Sequence, residues 1–357
     1  MTKTLFEILK GPYPKLDFVD YMPFDERSDL ENDNRSPDSE TPPQGQEPKD
    51  NVCDPIELKP GEKLDGKSIR DDAKYFIDGV RNIRILGHFY DKTENRSYPV
   101  LYGDIVASCG EIHKKSFKIV ASRHILAFAL PNLDSFPEET TEEIKSFCEQ
   151  SGLEKLFDTI ELRFYSPNTT GNRSIFSVAK KLLQDRMLEA EHELLENVWS
   201  SVKERKNSFI FVDGRFDEKS SIDYRADKVL SLCKEFSIES CDLSAINALS
   251  CESPEKQHTK PEEKDPPRWR WFMKLRNDQI PKEIPSDILL CTSAGKPEKE
   301  VVEEWVGRLN KLAWPTCYGL DRWRWRTHIY PIFLTETYSH QMQVNEERLK
   351  QMITNKY

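Results

Sequence analysis

A chain of 357 residues that is 37% hydrophobic and carries 14 glycines reaches about 41% apolar content, against the roughly 45–50% of a compact globule, so part of it is expected to lie outside any core. A net charge of −10 with a pI near 5.4 excludes a general attraction for nucleic acid, so such binding would need a local basic patch or a partner. The eight scattered cysteines form no Cys-x-x-Cys pair, which argues against a zinc site or a disulfide framework and for reduced thiols.

In chain order, residues 1–24 open with "MTKTLFEILKG", which lacks a signal peptide's apolar core and reads as a segment packing on the core or on a second copy. Residues 25–66 include "DERSDLENDNRSPDSETPPQGQEPKDN", too poor in large apolar groups to offset conformational entropy, and are expected to be disordered. The span 67–250 has an α/β pattern. "KYFIDGVRNIRILGHF" reads as a strand, a turn and a second strand. "YPVLYGDIVASCGEI" and "KSFKIVASRHILAFAL" add antiparallel β-runs with short connections. The longest apolar run, "ILAFAL", is too short to span a bilayer, and a soluble cytoplasmic protein is expected. A long helix follows from about Ser174 to Lys206, and then the strand "SFIFVDG". Residues 251–267, "CESPEKQHTKPEEKDPP", read as a flexible loop. Residues 268–357 complete the same domain with "RWRWFMKLR", "DILLCTS", the helix "EKEVVEEWVGRLNKLA", "HIYPIFL" and a terminal helix from about Ser339.

Two buried-looking ribbons run straight into Asp-Gly, at Asp78 and Asp213. An aspartate ending a buried strand faces solvent at the sheet's edge, and the glycine after it removes the Cβ that would block a metal ion or phosphate. Two such strands side by side would hold a hard divalent cation, magnesium or manganese, and phosphodiester hydrolysis is the usual chemistry of such clusters. The alternative is that each Asp-Gly merely turns the chain. The long helix adds Glu191, near the centre of the apolar stripe formed by Leu183, Met187, Leu188, Leu194, Leu195, Val198 and Val202, whereas Glu189, Glu193 and Glu196 project elsewhere. A carboxylate in a core-facing stripe needs a cation, which is either a metal or a nearby Arg or Lys.

Both "PPRWRWFMKLR" and "DRWRWRTHIYP" alternate Arg with Trp. As a strand, the second puts Arg322, Arg324 and Arg326 on one face and Trp323 and Trp325 on the other. With Arg270 and Lys274 of the first, these are the candidate phosphate contacts. The alternative is a solvated face paired with neighbouring Glu residues.

Taken together, "FIDGVR", the long helix leading into "FIFVDGR", "WFMKLR" and "YPIFLTETYSHQ" resemble, in order and spacing, the motifs of the NurA nuclease family over about residues 67–345. The resemblance implies an RNase H-like mixed sheet flanked by helices, manganese-dependent cleavage of DNA and a homodimer. It also implies partnership with a HerA-type hexameric ATPase in DNA end processing or phage defence. It makes Asp78 and Asp213 metal ligands, matches Glu336 to the acidic residue of the closing motif, and places Lys228 nearest the family's lysine after the second Asp-Gly. The family's closing histidine falls where this chain has Tyr338. His340 can reach the Glu336 side whether the segment is extended or helical, and Tyr338 only if it is extended, so His340 is expected to take that role. Two other functions share this pattern: a catalytically silent adaptor of such an ATPase, and an RNA-cleaving relative.

Overall fold

The structure, a computed structural model, describes residues 4–13, 16–20, 56–59, 73–114, 116–132, 137–166, 174–214, 224–233, 249, 258–264, 268–275, 288–312 and 329–354. In chain order they form helix α1 (Leu5–Lys10) and strands β1 (Asp17–Asp20), β2 (Ile56–Lys59), β3 (Lys74–Asp91), β4 (Arg96–His113) and β5 (Ser116–Pro131). Next come α2 (Glu138–Ser151), β6 (Thr159–Tyr165), α3 (Ile175–Val202), β7 (Phe209–Asp213) and β8 (Val229–Cys233). The last part contributes β9 (Glu262–Lys264), β10 (Arg268–Lys274), β11 (Ile288–Ser293), α4 (Lys299–Asn310), α5 (Tyr330–Met342) and α6 (Glu346–Thr354).

Among the described residues all strands join one mixed sheet, in the order β2-β6-β5-β4-β3-β7-β8-β11-β10-β9, with β1 added to β3. Strands β3, β4 and β5 are an antiparallel meander. After the α3 crossover β7 returns parallel to β3, and β8 lies parallel to β7. An antiparallel trio, a helix and a parallel strand beside the first is the α/β order read from the sequence pattern. The fold is a mixed α/β sheet flanked by helices.

Four local expectations need correction. Asp78-Gly79 is not a turn. It lies inside one 18-residue strand that pairs with β4 from Lys74 to Asp91, because apolar and β-branched residues continue on both sides of it. Of the polar segment 25–66, Ile56–Lys59 is strand β2, paired to β6 with Leu58 buried, and the rest of that segment lies outside the described residues. Within 251–267, residues 258–264 line up along β10, with Thr259 N–H donating to Phe272 O at 2.8 Å and β9 pairing beyond it. The terminal helix expected from about Ser339 is two helices, α5 from Tyr330, where Pro331 in the first turn has its φ already set for a helix, and α6 from Glu346.

The helix α3 covers one sheet face, packing Leu183, Leu194 and Val198 on Ile77, Ala107 and Val212. On the other face α4 and the start of α5 cover Phe76, Phe209 and Phe211, while α1, α2 and α6 cover Phe89, Tyr102 and Phe128. An ion network fixes α3 laterally against β6. Buried Glu161 accepts from Arg186 Nε at 2.6 Å and Arg163 Nε at 3.1 Å, and Arg186 reaches Glu193 at 3.0 Å. No helix among the described residues is long and apolar enough to cross a membrane.

Trp305 is the keystone of the α4 face. Its ring meets Phe209 and Phe211 edge-on at 5.4 and 5.2 Å, and its Nε1–H donates to Ala226 O at 2.9 Å. Trp305→Ala leaves a large cavity and an unpaired carbonyl, so it should cost about 3–5 kcal/mol. Thermal unfolding checks this, and an unchanged melting temperature would show that this face does not hold the fold together.

Candidate active site

The register of β3 and β7 builds the site. The two strands pair from Lys74↔Phe209 to Ile77↔Val212, so the next position brings Asp78 alongside Asp213. Two positions earlier the Phe76 and Phe211 rings stack at 5.3 Å, and period-two alternation returns both aspartates to that same face. At Asp213 β7 stops. Gly214 turns the chain at φ 89°, a conformation that glycine adopts at little cost. Its N–H donates to Leu232 O at 2.7 Å, and its carbonyl accepts from the Ser231 hydroxyl. Strand β3 runs on past the same point, leaving a step in the sheet with buried Asp78 on its floor and half-buried Asp213 at its lip. Asp78 Oδ1 accepts the Gly79 N–H at 2.9 Å.

Glu191 reaches this step from the opposite face. A Cβ on Gly79 would overlap Glu191 Oε1 and lie 3.1 Å from Met187 Cγ, so the glycine is what allows α3 to bring its carboxylate against the β3 backbone. Glu191 is buried, and its pKa is pushed up to about 8, first by burial and then by the negative charge of Asp213. Arg81 and the Gly79 N–H pull in the other direction. The carboxyl is therefore largely protonated at neutral pH. The neighbouring acids on α3 serve elsewhere, Glu189 and Glu193 with Arg163 and Arg186, and Glu196 with His192.

The helix α5 closes the Asp78 face. Ser339 donates to Ser108 Oγ at 2.8 Å, and Ser108 is the cross-strand partner of Asp78. Thr335, one turn earlier, would be touched by a Cβ on Gly110. Glu336 follows Thr335 on this helix, half-buried, with His340 Nε2 3.8 Å from its Oε1. The segment is helical, so His340 shares the Glu336 side, and Tyr338, two residues on from it, points elsewhere.

The remaining sequence candidates stand apart. Lys228 immediately precedes β8, at the opposite end of the parallel strands from Asp213, four positions or roughly 13 Å away. Its ammonium is occupied by the carbonyls of Arg205, Lys206 (2.8 Å) and Ser208 (3.2 Å), so its expected place in the active site is corrected to a structural one. Arg270 and Lys274 sit on β10, three strands from β7, and alternate with Trp271 and Met273, whose side chains join the Phe211 core. They therefore face away from the Asp78–Asp213 side of the sheet. Arg322, Arg324 and Arg326 lie outside the described residues. The sequence reading missed Arg81, although it stands in the same quoted motif, two residues after Gly79.

Asp78 and Asp213 offer carboxylate oxygens, the donors a hard divalent cation prefers, while the space left by the missing Cβ of Gly79 is taken by Glu191 Oε1. Among the described residues, no three His, Cys, Asp or Glu side chains stand together as a ready cage for a metal ion. The alternation of sheet faces explains this, since Glu191 approaches the β3 backbone from the side opposite Asp78. Gly79→Ala would push the Glu191 carboxyl away. Overpacking of this kind costs about 1–3 kcal/mol, and a lowered melting temperature in a still-folded protein is the expected result. An unchanged one would show that the space at Gly79 is not needed.

No protein-family profile matches the chain, and no curated protein does. Among solved structures the chain is similar to the crystal structure of the NurA nuclease from Sulfolobus solfataricus, at 10% identity with a TM-score of 0.37, over 79% of this chain and 82% of that one.

Proposed function

We propose that this chain is a divalent-metal-dependent nuclease that hydrolyses phosphodiester bonds at the β3–β7 step. The observation that carries the reading is the register that sets Asp78 beside Asp213 with the Glu191 carboxyl against the next residue. Asp78 and Asp213 would hold Mn²⁺ or Mg²⁺. Such a cation supplies a Lewis acid and a bound water of lowered pKa. Glu191 would be a further donor, and its carboxyl, raised in pKa without a cation, would lose its proton to solvent if positive charge entered the step. On the α5 side, Glu336 and its partner His340 stand ready to take a proton from an attacking water.

DNA is the proposed substrate, in end processing or defence. A net charge of −10 leaves the isolated chain with little hold on a polyanion. A HerA-type hexameric ATPase that feeds DNA to a homodimer of this chain would supply that hold. Plasmid and linear DNA incubated with Mn²⁺, with and without chelator, tests the core of the reading. Cleavage that needs the cation and vanishes in Asp78→Asn supports it. A second reading, a catalytically silent adaptor, is favoured by the lack of a ready three-ligand cage among the described residues. Absence of cleavage under all these conditions, together with co-elution of an ATPase, is the result that selects it.

A further inference from the structure

Arg81 lies on β3 two residues beyond Gly79, facing α3 on the same side as Glu191. Its guanidinium has five N–H donors. Among the described residues its one hydrogen bond runs from Nη1 to Met187 Sδ at 3.4 Å, and a thioether is a weak acceptor. Three other partly or fully buried arginines are held by carboxylates. Arg84 has Glu346 at 2.7 Å, Arg163 has Glu161 at 3.1 Å, and Arg186 has Glu161 at 2.6 Å. The Arg81 charge is balanced through space alone, by Glu191, and that carboxyl is itself inclined to hold a proton. A half-buried guanidinium whose one bonded acceptor among the described residues is a thioether keeps donors for an anion.

We propose that Arg81 binds a phosphate of the substrate strand, using its planar fork to hold the backbone beside the Glu191 carboxyl, on the α3 side of the Asp78–Asp213 step. The assignment rests on the nuclease reading above. A fork on phosphate carries a charge-assisted pair of bonds, and the approaching anion satisfies donors that only a sulfur now meets.

The test pairs Arg81→Met with Arg81→Lys and Asp78→Asn. Arg81→Met removes an under-satisfied charge and keeps a flexible apolar stem, so its melting temperature should equal or exceed that of the parent. Its kcat/KM for a short single-stranded oligodeoxynucleotide should fall about 10- to 100-fold, mostly through KM. The slope of log Kd against log salt, measured on the same oligonucleotide, should drop by about 0.7. Arg81→Lys should recover the slope but only part of the kcat/KM, because a point charge lacks the fork. An unchanged KM and slope in Arg81→Met, or a lowered melting temperature with an unchanged slope, overturns the proposal, the latter marking Arg81 as a mere counter-charge for Glu191. Absence of measurable oligonucleotide binding by the parent chain even at low ionic strength, where weak phosphate contacts are strongest, overturns it too. Full cleavage by Asp78→Asn instead sinks the nuclease reading of the step, while the salt slope still reports on Arg81.

Discussion

Asp78→Asn and Asp213→Asn will each lower metal-dependent phosphodiester cleavage by about two to three orders of magnitude, the equivalent of removing several kcal/mol of charge stabilisation. The fold should survive both changes. An asparagine in place of Asp78 keeps an oxygen to accept the Gly79 N–H that Asp78 Oδ1 takes now at 2.9 Å. Removing the Asp213 charge also relieves the repulsion that raises the Glu191 pKa. Melting temperatures equal to or above the parent, with cleavage nearly abolished, are therefore expected together. A variant that unfolds would make its aspartate structural, and one that keeps more than about a tenth of the parent rate could not be a metal ligand of the kind proposed.

The second large effect concerns Glu191 in the metal-free chain. Its folded pKa of about 8 lies above the ordinary 4.5, so between those values the folded protein holds a proton that the unfolded chain has released. The stability linked to this carboxyl is complete below about pH 4.5 and is lost as the pH rises through about 8, amounting to something on the order of 5 kcal/mol. Denaturant titrations in chelator should show stability declining across that window. Glu191→Gln, which mimics the protonated acid, should flatten the decline and leave a protein more stable than the parent above pH 8. Adding Mn²⁺ should stabilise the parent in that range and the variant far less, since only the parent gains a ligand. Parallel pH profiles for the two proteins would show that Glu191 is not the buried proton holder.

The neighbouring positions of Asp78 and Asp213 were legible in the sequence, because an Asp-Gly after an apolar run fixes where each aspartate falls along its strand and the parallel pairing does the rest. Glu191 was legible from helical periodicity, which placed it mid-stripe while assigning Glu189 and Glu193 elsewhere. Its face relative to Asp78 was not, since periodicity fixes a helix's inner side but not which side of the sheet the helix covers. The Asp78-Gly79 turn was misread because Asp-Gly signals a turn only when the flanking strands fold back on each other, and here β4 pairs straight through it. Lys228 was misassigned for a different reason. Its spacing after Asp213 in sequence says nothing about the parallel return, which carries residue 228 to the far end of the strands. Arg81 was overlooked because an exposed-looking arginine in a β-run has no signature until its neighbours are seen to be a sulfur and a reluctant acid.

The three carbonyls that Lys228 holds belong to Arg205, Lys206 and Ser208, the link between the helix carrying Glu191 and the strand carrying Asp213. That link works as a gear train. One residue gained or lost on its helical side would rotate Glu191 by about 100°, and one on its strand side would turn Asp213 to the other face of the sheet. Pinning the link with a single cation fixes the phase of both acids at once. The lysine at the far end of the strands thus sets the timing of a site it never touches.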